Sequence, residues 1–177
     1  MATNYQAPQA LGASKAGVQK FAEDFAKKIG FEAGDSIEEL VSRFGGRMTV
    51  GTSGFGDDDS GSIVARETND FEIFVSRHTS LKRDRFTIAH ELGHLLLHLP
   101  AIKAGSENAV MRATRYVDPE DEEQRRAEWE ANWFAAAFLM PKKVFLEAVT
   151  SRGLDHAAEV CGVSLAAADI RAKNLNI

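Results

Sequence analysis

The sequence predicts a single α+β domain in which a small antiparallel three-stranded sheet packs on two long helices and short C-terminal helices follow. Three observations carry this prediction. Apolar residues recur at helical spacing in "RFTIAHELGHLLLH" (85–98) and "EWEANWFAAAFLMP" (128–141), stretches too long for strands. Between residues 47 and 76 the pattern changes to "RMTV", "SIVAR" and "FEIFVS", short runs rich in Val, Ile and Phe with turn-forming residues between them. The chain has 177 residues and is 44% apolar, enough for one sizeable core without disulfides and too little for a second full domain.

Residues 1–13 read as a flexible polar tail and 14–177 as the domain, with a helical C-terminal part from about residue 142. Ser14 can cap a helix whose apolar positions Val18, Phe21, Phe25 and Ile29 recur at helical spacing up to Gly30. Asp35 or Ser36 then starts the shorter helix "SIEELVSRF", ended by Gly45 and Gly46. The three strand-like runs come next. The loop "GTSGFGDDDSG" (51–61) lacks the Lys-Ser/Thr of a phosphate loop and the ligand spacing of an EF-hand, so it reads as a solvated hairpin connection. A long helix runs from Ser80 to His98 and is stopped by Pro100, and "AIKAGSENAVMRATRYV" (101–117) reads as a polar connection. Asp118-Pro119-Glu120-Asp121 starts the next helix with an Asp cap at 118, Pro in the first turn and acids at the positive end of the dipole; it continues to Pro141. Two or three short helices, broken at Gly153 and Gly162, complete the chain.

Composition excludes several classes of function. A net charge of −5, with 21 basic residues dispersed among 26 acidic ones, argues against direct nucleic-acid binding, which needs clustered Lys and Arg. The lone Cys161 permits no internal disulfide and reads as a small buried apolar residue. The longest apolar run, "WFAAAFLM", is far short of a membrane span, and the N-terminus lacks the pattern of a signal peptide. The expected location is the cytoplasm.

The chemistry concentrates in residues 85–98. On a helix, residues four apart lie about 40° apart in azimuth and about 6 Å apart along the axis, so His90 and His94 face one ion from successive turns. Glu91, about 60° around from His94, can reach a water on that ion without being a ligand. This HExxH pattern makes Glu91 the candidate general base and His90 and His94 candidate metal ligands. Apolar neighbours such as Ile88, Ala89, Leu92, Leu95 and Leu96 would make unpaired charge at this density costly. His98 lies two turns, about 12 Å, along the axis from His90, too far to share the ion, and is expected to pack at the helix end or bind a carbonyl.

The third ligand must come from elsewhere, and residues 128–141 offer Glu128 and Glu130. Glu128 shares a helix face with Asn132 and with the small or apolar Ala131, Ala135 and Leu139; such a face can approach the histidine helix closely. Glu128 would then reach the metal and Asn132 the second nitrogen of a ligating histidine. Glu130 points about 200° away beside Phe134 and Ala137, so the geometry favours Glu128.

The combination of "RFTIAHELGHLLLH", "EWEANWFAAAFLMP" and "GVSLAAADIRAKNL" resembles the ImmA/IrrE family of metallopeptidases, minimal zincin-like relatives of the thermolysin-like gluzincins. The resemblance runs from about Ile37 to the C-terminus. It implies metal ligands at His90, His94 and Glu128 and a general base at Glu91, so that residues 14–177 form a metallopeptidase domain. Where thermolysin-like enzymes place an aspartate four residues after the ligand glutamate, this chain has Asn132, a neutral support for a histidine. The resemblance also implies a protein substrate, a separate helix-turn-helix repressor or antitoxin-like regulator whose cleavage relieves repression. The contrasting expectation is a non-proteolytic, metal-containing partner that sequesters a regulator or toxin.

One divalent ion is expected, Zn2+ foremost, with Mn2+ and Fe2+ compatible with the same ligands. A substrate is expected to add as an extended strand along "FEIFVS" taken as a sheet edge. Tyr116, Arg112, His78 and His156 are the candidate donors to the tetrahedral oxyanion.

Overall fold

The computed structural model describes residues 3–51, 62–76, 79–114, 118 and 120–177. Along the chain the elements are β1 (Tyr5–Gln6), α1 (Lys15–Ile29), α2 (Ile37–Arg43), β2 (Arg47–Val50), β3 (Ser62–Glu67), β4 (Asp70–Val75), α3 (Leu81–Leu97), α4 (Leu99–Gly105), β5 (Val110–Thr114), α5 (Glu122–Leu139), α6 (Lys142–Arg152), α7 (Leu154–Cys161) and α8 (Leu165–Leu175). The expected α+β class holds. The Gly-rich loop over 52–61 lies outside the described residues, as do His78 and Tyr116.

Most helices start where a short polar side chain can accept from the first turn. Ser14, Ser36, Ser80 and Ser164 accept from Gly17, Glu39, Arg83 and Ala167 amides respectively. The α5 cap is Asp121, which accepts from the Gln124 amide, and not Asp118 as the Asp-Pro pair implied. Glu122 and Glu123 then supply the first-turn acids that the dipole favours. Helix α3 runs from its Ser80 cap to its His98 cap, before Pro100, and a further short helix, α4, follows it. Pro100 occupies the first turn of α4, where its missing N–H costs nothing, and His98 is the junction between α3 and α4.

The sheet is the main departure from the sequence reading. It has five strands in the order β1-β5-β3-β4-β2 and is mixed. β3 runs antiparallel to β4 and β5, whereas β2 is parallel to β4 and β1 parallel to β5. The three-stranded antiparallel sheet is therefore corrected in both strand number and direction. "FEIFVS" is not an edge, because β4 is hydrogen-bonded to β3 on one side and β2 on the other. Its ladder groups are used, and it cannot accept a substrate strand.

Residues 3–13, part of the expected flexible tail, are tied to the domain. β1 pairs with β5, and the Leu11 and Ala13 amides donate to the Glu130 carboxylate at 2.9 and 3.0 Å.

One apolar core runs through the domain. Ile63 and Ala65 of β3, Phe71 and Ile73 of β4 and Met111 of β5 face α3, whose residues from Thr87 to Leu95 are all buried. Beyond α3 lie α5 and α1, joined by phenylalanines: Phe21 and Phe25 of α1 meet Phe134 and Phe138 of α5 with ring centroids 6.1 and 6.4 Å apart, and Phe138 also stacks on Phe31 and Phe134 at 4.6 and 5.4 Å. Gly93 permits the close crossing of α3 and α5. A Cβ there would sit 3.1 Å from the Ala131 Cα and 3.1 Å from its carbonyl oxygen. Helices α6 to α8 pack their Phe145, Ala157, Cys161 and Ala168 into the same core. Cys161 is buried and free, as expected. Among the described residues, no helix is long and apolar enough to cross a membrane.

Candidate metal centre

Helix α3 delivers His90 and His94 from successive turns, and α5 delivers Glu128 across the Gly93 crossing. The His90 Nε2 and His94 Nε2 atoms are 3.1 Å apart. Glu128 presents Oε2 to His90 Nε2 at 3.1 Å and Oε1 to His94 Nε2 at 3.0 Å. Among the described residues these three form the cluster of His, Cys, Asp and Glu able to hold one ion, and both histidines are buried while Glu128 is partly open.

The hydrogen bonds behind these atoms decide what they can do. Asn132 Oδ1 lies 3.1 Å from His90 Nδ1. A carbonyl oxygen only accepts, so Nδ1 carries the hydrogen and His90 Nε2 is left with its lone pair. His94 Nδ1 lies 3.0 Å from His98 Nδ1, and His98 Nε2 lies 3.1 Å from Glu130 Oε2. Burial pushes the His94 imidazole down to about 4 and lowers His98 as well, so both are neutral near pH 7. Burial alone would raise the Glu128 carboxyl, but the proximity of His90 and His94 outweighs it and keeps it below the ordinary carboxylate range. The same contest at Glu130 is settled by the Leu11 amide, His98 and the Ala13 amide, which together hold that acid ionised.

The donor set therefore fits a cation. Neutral imidazole nitrogens and a carboxylate converge as lone pairs within 3.1 Å, an arrangement that repels itself unless positive charge lies between them. Four-coordinate bonds of about 2.0–2.1 Å would set such atoms roughly 3.3 Å apart, close to the observed spacing. Glu91, the residue after His90 on α3, is also buried.

Of the residues expected at the site from sequence, His90, His94, Glu128 and Asn132 lie within contact of one another, and Glu91 is buried on the same helix. His98 is buried at the end of α3, and in place of a carbonyl its ring bridges His94 and a carboxylate. Glu130 lies outside the ligand cluster and is a fully buried acceptor of three hydrogen bonds, partners that the sequence reading did not supply. The available signal was the third histidine in an i, i+4, i+8 row and an acid flanked by Ala127, Ala131 and Phe134. Of the oxyanion candidates within the described residues, Arg112 on β5 lines a small cleft with Glu128, whereas His156 lies half-buried on α7 among the C-terminal helices.

A family profile described as the IrrE N-terminal-like domain, a peptidase family, matches residues 53–173. The chain belongs to the ImmA/IrrE metallopeptidase family. The matched span contains the HExxH helix, the Glu128 helix and most of α8, so all but the last two residues of the stretches that carried the resemblance lie within it. No curated protein matches the chain significantly. Among solved structures, a Mycobacterium tuberculosis transcriptional regulator shares the fold, with a TM-score of 0.54 and 20% identity, over 85% of this chain. The chain spans 45% of that regulator's length. In this ImmA/IrrE member the sheet has five strands, and the N-terminal segment is bound to the helix that carries Glu128.

Proposed function

We propose that the chain is a metal-dependent endopeptidase whose substrate is a separate helix-turn-helix repressor or antitoxin-like regulator. The observation that carries this reading is the convergence of His90, His94 and Glu128 as three lone-pair donors, with Glu91 one residue from the first, at the end of an open groove. The groove has a volume of about 870 Å³ and runs from His90, Glu128 and Asn132 past Phe86 and Trp133 to Ile170 on α8. That is at the upper end of the range for ligand sites, about 300–1,000 Å³, and admits several residues of extended chain. It replaces the β4 edge as the path for a peptide.

A divalent ion at the site supplies Lewis acidity toward a peptide carbonyl and acidifies water, and Zn2+, Mn2+ and Fe2+ all suit two imidazoles and a carboxylate. The protein's own residues do the rest. Asn132 keeps the His90 lone pair on Nε2. Glu91, desolvated on α3, accepts a proton from the attacking water and returns it to the leaving amine. Of the two described candidates, Arg112, which lines a cleft with Glu128, is the one assigned to the tetrahedral oxyanion. The fold shared with a transcriptional regulator is compatible with a role in gene control.

The test is to incubate the wild type and Glu91→Gln with a helix-turn-helix regulator encoded nearby, with and without a chelator. One specific cut, lost in Glu91→Gln while metal binding is retained, is the expected result. A Glu91→Gln protein that still cuts would overturn the mechanism, and one that relieves repression without cutting would favour sequestration.

A further inference from the structure

We propose that His98, Glu130 and the N-terminal segment form a single positioning chain that fixes the proton on the outer nitrogen of His94 and so keeps its inner nitrogen available to a metal ion. The proposal rests on the metal-site reading above and extends it to residues that are not ligands.

The chain can be followed one hydrogen at a time. Glu130 is fully buried and its carboxylate can only accept. Its Oε2 accepts from the Leu11 amide at 2.9 Å, and its Oε1 from the Ala13 amide at 3.0 Å. Gly12, between them, has φ +68°, and this left-handed turn aims both amides at one carboxylate, a small anion nest. Arg126 braces the same corner, donating to the Ala13 carbonyl at 2.7 Å and lying 3.5 Å from Glu130 Oε1. His98 Nε2, 3.1 Å from Glu130 Oε2, must therefore be the protonated nitrogen of its ring. That leaves His98 Nδ1 as an acceptor, so the hydrogen across the 3.0 Å contact belongs to His94 Nδ1. His94 Nε2 then keeps its lone pair toward His90 and Glu128.

Both histidines and Glu130 are fully buried, so water cannot replace a missing link. Without Glu130, His98 is free to carry its hydrogen on Nδ1. His94 would then have to accept there and protonate Nε2, the nitrogen that faces the metal site. His98 keeps right-handed helical backbone and its amide still donates to the His94 carbonyl, so the two rings share one face of the helix.

The experiment measures zinc affinity by competition with a chromophoric chelator, together with the visible spectrum of the Co2+ form and thermal midpoints with and without zinc. Glu130→Gln and His98→Phe should each weaken zinc binding roughly 10–100-fold and shift the Co2+ bands, the usual cost of losing an outer-sphere partner of a ligating histidine. Because the links act in series, the double variant should bind no more weakly than the weaker single. His98→Gln, whose amide can accept from His94 and donate to Glu130, should recover part of the affinity. Leu11→Pro, which removes one donor to Glu130, should give a smaller loss of the same kind. A purely structural role would lower the midpoint without zinc and leave affinity and spectrum alone; folded variants within twofold of wild type would overturn the proposal. If His98→Phe does not fold, Glu130→Gln and His98→Gln decide the matter. A wild type that binds neither zinc nor cobalt would refute the metal site itself, a distinct outcome.

Discussion

The crossing of α3 over α5 at Gly93 makes the position of Glu128 sensitive to a single methyl group. In Gly93→Ala the new Cβ would lie 3.1 Å from the Ala131 Cα, 3.1 Å from its carbonyl oxygen and 3.3 Å from the Phe134 Cβ. Carbon contacts are most favourable at about 3.5–4.0 Å, so α5 must retreat by about half an ångström. Two of the three atoms are backbone and cannot rotate away. Overpacking of this kind costs about 1–3 kcal/mol, while exchanging Gly for Ala within a helix returns about 1 kcal/mol. The net loss is about 1 kcal/mol, which for a domain of this length lowers the thermal midpoint by roughly 2–4 °C. The retreat also carries Glu128 and Asn132 away from His90 and His94, so metal affinity should fall by more than the stability change alone accounts for. Calorimetric melting and zinc competition on the same preparation separate the two effects. An alanine variant that melts above the wild type and binds zinc unchanged would refute the argument that this contact sets the ligand geometry.

Metal removal should be visible without any substrate: zinc at about a hundred times its dissociation constant adds about 2.7 kcal/mol, roughly 5–11 °C in midpoint, and His90→Ala should abolish the zinc-dependent increment. For the metal-free protein, stability should decline with acid in a defined window. His94 titrates at about 4 in the fold against 6.5 unfolded, so the unfolded chain binds the proton first and stability is lost as pH falls from about 6.5 to about 4. At 1.36 kcal/mol per pH unit this is roughly 3 kcal/mol. Glu128 and Glu130, held below the usual carboxylate range, act in the same direction at lower pH; urea melts across pH 4–8 check the trend, and a flat profile would contradict it. Phe138→Ala, at the centre of the phenylalanine stack, should cost about 3–5 kcal/mol in the same melts.

How much of the molecule could be read in advance depended on the range of the interactions involved. His90, Glu91 and His94 are set by one helix repeat, and Glu128 with Asn132 by another, so both halves of the site follow from local spacing. The helix caps at Ser14, Ser36 and Ser80 are local too. The sheet is not. β1 is two residues long and β5 five, and neither has a pattern of its own that outweighs its polar neighbours; each is a strand because of its partner. β2 lies beside β4 although β3 comes between them in sequence, so the assumption that consecutive strands pair gave the wrong neighbour and the wrong direction. The partners of Glu130 and His98 were out of reach for the same reason. Glu130 finds its partners 117 and 119 residues away at Ala13 and Leu11 and 32 away at His98, and helical geometry on α5 says only which way it points. A buried acid is intelligible only together with the groups that stabilise it, and here those groups come from the N-terminal segment and from the junction after α3. The local motif thus supplies the three candidate ligands, whereas the orientation of His94, on which their use depends, is supplied by contacts that span most of the chain.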